Sequence, residues 1–109
     1  MAFSEALADR IRLQVGNQKG LVEKKMFGGL AFLLNGNMSI GVHSDELIVR
    51  LPPDQMKGAL SEKGARPFEV GGRQMKGWLL VGGEGIDKPA GLKKWIDRGV
   101  TYAASLPGK

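Results

Sequence analysis

The chain has 109 residues, is 42% hydrophobic and 25% charged, and carries a formal net charge of +5 with no cysteine. That length and balance fit one soluble domain over residues 1–109 with a real core, and exclude disulfides and thiolate metal sites. No apolar run nears the roughly 20 residues of a membrane span, and the start MAFSEALADRIRLQ lacks the apolar core of a leader, so a cytoplasmic location and no membrane contact are expected.

In chain order, Ser4 is placed to cap a first helix in which Leu7 and Ile11 recur at i, i+4, with Phe3 just ahead and Gly16 at its end. GNQKG then reads as loop. GLAFLL is a first strand. Asn35-Gly36 is a hairpin turn, because a type I′ turn needs positive φ at both central positions. NMSIGVH and ELIVRL alternate about a tight turn at Ser44-Asp45, which completes a three-stranded meander. Asp54 is placed to cap a short helix through QMKGALSEKG. ARPFEV and QMKGWLLV are two further strands joined at Gly71-Gly72. Asp87 is expected to cap a last helix with Pro89 in its first turn and an apolar stripe of Leu92, Trp95, Ile96, Val100 and Ala103.

These elements give an α+β fold in two layers. A five-stranded antiparallel sheet carries helices on one face, in the order α-β-β-β-α-β-β-α. If both hairpin loops are two residues long, Val42 faces Leu47, Ile40 faces Val49 and Met38 faces Leu51, all on the core side. Leu33 then pairs with Met38 and Ala31 with Ile40, which sends Leu30, Phe32 and Leu34 to the opposite face. Trp78 and Leu80 likewise share one face of the fifth strand, with Leu79 and Val81 on the other. Both sides of the sheet are therefore expected to carry apolar groups.

No catalytic set emerges. The 17 glycines, about twice the average usage of roughly 7%, call for tight turns. MFGG at 26–29 runs into a strand and lacks the Lys-Ser/Thr of a phosphate loop. GGEGID precedes a helix, but Glu84 and Asp87 would repel an anion there. His43 is the only histidine. Adjacent to Ser44 and Asp45, it cannot converge with them as a triad must, and one histidine without cysteine argues against zinc. Neither a cofactor nor a metal site is expected, and the chain reads as a non-enzyme.

Two surfaces remain. Phe32, Leu34, Trp78 and Leu80 form a candidate interaction patch on the second sheet face, unless a helix covers that side; the sequence leaves both open. The positive charge favours the C-terminal half, where residues 57–109 hold ten bases and five acids. The bases are interleaved with acids, and Arg50, Arg66, Arg73, Lys76, Lys93 and Lys94 lack the aromatic interleaving of an RNA-reading sheet. Direct nucleic-acid binding through this basic half is the alternative to protein association.

KKMFGGLAFLLNGNMSIGV, ELIVRLPPD, GARPFEV, QMKGWLLV and LKKWI, taken in that order, resemble the N-terminal domain of the TfoX/Sxy family. Met26, Phe27, Gly28 and Gly29 match its Met-Phe-Gly-Gly element ahead of the first strand, Gly36 its hairpin glycine, Met75 and Trp78 its fifth strand, and Leu92 and Trp95 its closing Leu-x-x-Trp. The resemblance implies the element order read above. It also implies a role in regulating competence and transcription with a transcription regulator as partner, while the apolar patch leaves self-association open as well. It brings no catalytic or ligand residues.

Overall fold

The computed structural model describes residues 3–16, 18–26, 29–70 and 72–108. Its helices are α1 (Glu5–Val15), α2 (Met56–Leu60) and α3 (Pro89–Ser105). Its strands are β1 (Leu21–Met26), β2 (Gly29–Leu34), β3 (Asn37–His43), β4 (Glu46–Arg50), β5 (Ala65–Val70) and β6 (Arg73–Val81), with single 3-10 turns at Pro53–Gln55 and Gly83–Gly85. All strand pairs are antiparallel, in the order β1-β2-β3-β4-β6-β5.

The sheet thus has six strands rather than five. The strand missing from the sequence reading is β1, which pairs with β2 from Leu21↔Leu34 to Met26↔Gly29. Glu23, Lys24 and Lys25 hide it from a hydrophobicity pattern. Their charges suit an edge strand, whose open backbone would otherwise invite pairing with another chain. The other edge, β5, carries Pro67, which offers no N–H.

Local chemistry sets several boundaries as expected. Ser4 Oγ accepts the Leu7 N–H at 3.1 Å and caps α1, and Gly16 ends that helix with φ 55°. Asn35 and Gly36 have φ 53° and 85°, as a type I′ turn demands. Two expected caps fail. Asp54 falls inside the 3-10 turn before α2, and Asp87 stands one residue ahead of Lys88, the N-cap of α3; neither helix has a side-chain cap bond.

The register differs from the ideal meander by one residue. Phe32 pairs with Ile40 and Leu33 with Met38, so Ser39 is an extra residue in β3. Such a bulge moves flanking side chains to the other face. Leu30 and Phe32 therefore join the helix-side core with Ile40, Val42, Leu47, Val49, Leu51, Leu79 and Val81, and Met38 leaves it. Ser39 is fully buried, and its hydroxyl donates to the Phe32 carbonyl at 2.9 Å. That bond satisfies the hydroxyl, which would otherwise lie unpaired in an apolar environment.

On the helix side the core is completed by Leu7, Ala8 and Ile11 of α1 and Leu92, Trp95 and Ile96 of α3. The opposite face holds a second, smaller apolar cluster of Ala31, Met38, Ile48, Phe68 and Leu80, flanked by Leu33 and Trp78. No described helix covers it. Its side chains shield one another instead. His43 on β3 and Phe68 on β5 have ring centroids 6.1 Å apart, although β4 and β6 lie between their strands. Packing among these side chains thus accounts for buried apolar residues on the outer face. No helix among the described residues is long and apolar enough to cross a membrane.

Candidate interaction surface

The four residues expected to form one patch are not brought together. Phe32 is 1% exposed and belongs to the helix-side core, a consequence of the bulge at Ser39. Leu34 is 2% exposed, in the alternation that β2 shares with Phe32. Leu80 does lie on the outer face but is only 4% exposed. Trp78 alone is half-buried, at the margin of the outer cluster.

What Trp78 joins is a cation and a second ring. Arg50, its partner in the β4–β6 register, holds its guanidinium carbon 5.2 Å from the centre of the Trp78 ring. The same carbon lies 5.6 Å from the centre of the Tyr102 ring, on α3. All three residues are half-buried. Among the described residues no carboxylate pairs with Arg50. The last turn of α3 carries no basic side chain of its own. Beside Tyr102 lies a cleft of about 390 Å³, lined by Pro52, Gln55, Asp97, Arg98, Thr101, Tyr102 and Ser105.

Charges behind the corner are linked across elements. Glu62 accepts from Lys94 Nζ at 2.6 Å and from Arg98 Nη1 at 2.7 Å. The Lys94 hydrogen bond, opposed in part by burial, holds the Glu62 carboxyl below the usual carboxylate range. Arg98 lies 4.6 Å from the ring centre of Trp95, which is itself 1% exposed and serves the core. Arg12 bridges Asp9 and Glu23 and pulls the Glu23 carboxyl down by its hydrogen bond, tying α1 to β1. Arg66 is raised by its hydrogen bond to Glu46, which ties β5 to β4.

The other candidates stand apart from chemistry. His43 edges onto Phe68 rather than onto an acid or a nucleophile. Among the described residues no three of His, Asp and Glu converge as metal ligands. The MFGG element joins β1 to β2, with Met26 ending one and Gly29 opening the other; Phe27 and Gly28 lie outside the described residues, as does Gly71 of the expected Gly71-Gly72 turn. Of the glycines of GGEGID, Gly83 takes a positive φ of 44° with nothing packed on it, whereas Gly85 serves packing, as does Gly91 beyond it. A Cβ on Gly85 would stand 2.7 Å from the Lys63 carbonyl oxygen, and one on Gly91 would stand 2.7 Å from the Gly85 carbonyl oxygen. The start of β5, the end of β6 and the start of α3 interlock there through bare backbone.

Sequence reasoning named Trp78 and Arg50 separately but did not unite them, and it missed Tyr102. The signal available was a C-terminal helical turn that has a tyrosine and no base. Comparison with known proteins adds the family. The model described as the TfoX N-terminal domain matches residues 14–103, from the end of α1 through most of α3. No curated protein and no solved structure matches the chain.

Proposed function

The chain belongs to the family of TfoX N-terminal domains, and we propose that it is a non-enzymatic regulatory module that acts by binding another protein through the Arg50–Trp78–Tyr102 corner. The observation that carries this reading is the stacking of one arginine on two half-buried rings beside a cleft. Trp, Tyr and Arg are the residue types that dominate binding energy at protein interfaces, and they do so where a pocket lies next to a well-packed anchor. The resemblance to competence regulators makes a transcription regulator in the cytoplasm the first partner to seek, and a second copy of the chain the next.

Direct nucleic-acid binding draws support from exposed Lys19, Lys24 and Lys25 at and before the β1 edge. That reading requires a salt slope near −0.9 per phosphate on duplex DNA.

The association reading is tested by placing a photo-activated cross-linker at Thr101, which is exposed and lines the cleft, and another at Leu13, which is 84% exposed on α1. The expected result is one discrete protein adduct from Thr101 and none from Leu13, with the adduct lost in Trp78→Ala. Adducts from both positions, or from neither, would contradict it.

A further inference from the structure

We infer that the partner meets this corner with an acidic segment, one carboxylate seated on the free edge of Arg50 and a neighbouring apolar side chain in the cleft beside Tyr102. The inference rests on the association reading and adds the chemistry of the partner.

The donors of Arg50 are the first reason. Arg50 takes part in no ion pair and donates no side-chain hydrogen bond among the described residues, yet no buried side-chain nitrogen or oxygen there lacks a hydrogen-bond partner. Its free N–H groups therefore open to solvent. The Trp78 and Tyr102 rings meet the cation by cation–π contact. What remains of a planar guanidinium is its edge, and that edge matches the plane of a carboxylate with two parallel hydrogen bonds. Because the two rings already hold the side chain, little rotamer entropy is left to lose on binding.

The surrounding charge is the second reason. Glu62 is shared by Lys94 and Arg98, and Asp97 is taken up by Lys93. Positive charge is left over in the first group and Arg50 adds to it, while exposed Asp54, beside the cleft residues Pro52 and Gln55, offsets one unit. A segment bearing Asp or Glu is drawn to such a corner, and a basic one is repelled. The ring arrangement also separates protein from nucleic acid. Single-stranded nucleic acid needs open aromatic faces on which bases stack. Here Trp78 and Tyr102 each turn a face to Arg50, and Trp95 is 1% exposed beneath Lys94 and Arg98.

The test is a heteronuclear NMR titration of the whole chain with a short blocked peptide of alternating Leu and Glu pairs, with its Leu/Gln counterpart, and with a thymidine oligonucleotide. The Glu peptide is expected to shift the Trp78 indole N–H saturably and to bind about tenfold more tightly than the Gln peptide. Arg50→Gln is expected to abolish that difference. Arg50→Lys, which keeps the charge but not the fork, is expected to retain part of it. The inference is overturned if the two peptides act alike or neither binds at millimolar concentration, if Arg50→Gln lowers only the melting temperature, or if the oligonucleotide shifts Trp78 in their place. A Thr101 adduct that persists in Arg50→Gln overturns the acidic contact and leaves the association reading standing.

Discussion

Gly99 of α3 lies directly against Ser39 of β3: a Cβ at Gly99 would stand 2.6 Å from the Ser39 carbonyl oxygen and 2.7 Å from Ile40 Cγ2. The longest helix therefore crosses the sheet at its bulge, and the absent side chain sets how closely the two layers approach. A glycine inside a helix ordinarily costs about 1 kcal/mol relative to alanine. Here the steric term wins, because the obstacle is backbone and cannot swing away. Gly99→Ala is expected to destabilise the fold by about 1–3 kcal/mol, as overpacked cores do. Urea denaturation of the variant checks this.

Gly58 in α2 supplies the opposite case. Nothing lies within 4 Å of the position a Cβ would take there, and the residue has no positive φ. Only the entropic penalty of glycine applies. Gly58→Ala is expected to raise stability by about 0.5–1 kcal/mol, read in the same denaturation experiment.

Replacing Ser39 by alanine removes the buried hydrogen bond from its hydroxyl to the Phe32 carbonyl. Ser39→Ala is expected to cost about 0.5–1.5 kcal/mol. Hydrogen exchange on the β2–β3 hairpin should rise more than on β5–β6, since the bond staples only the bulge.

The carboxyl of Glu62 is held down, first by Lys94, so the ion-paired form is favoured in the folded state. A depressed folded pKa contributes stability that is present above the unfolded value of 4.5 and is lost as pH falls through the lower folded value. Glu62→Gln is therefore expected to be less stable than the parent at pH 7. The gap should narrow progressively below about pH 4.5, and denaturant midpoints measured down that range report it.

These particulars also show how far the residues alone could lead. Strong periodicity placed Leu7 and Ile11 on the buried side of α1 and the Leu92-Trp95-Ile96-Ala103 stripe on that of α3. Asn35-Gly36 fixed a turn because few dipeptides tolerate two positive φ angles. The bulge at Ser39 leaves no compositional trace, since one inserted residue changes faces without changing polarity, and it alone moved Leu30, Phe32 and Met38. The β1 strand was masked by Glu23, Lys24 and Lys25, whose value lies in protecting an edge rather than in packing. The candidate site was legible only in part. Trp78 and Arg50 belong to neighbouring strands, but Tyr102 reaches them from a helix 52 positions after Arg50 in the chain, a tertiary juxtaposition that no local pattern encodes.

The most direct test of the account is a calorimetric titration of the partner captured at Thr101 against the parent chain and against Trp78→Ala/Tyr102→Ala, with near-ultraviolet circular dichroism confirming that the core around Trp95 is retained. Removal of two anchor rings is expected to weaken binding by at least about 30-fold while the fold persists. Undiminished affinity in the double variant would contradict the assignment of this corner as the interface.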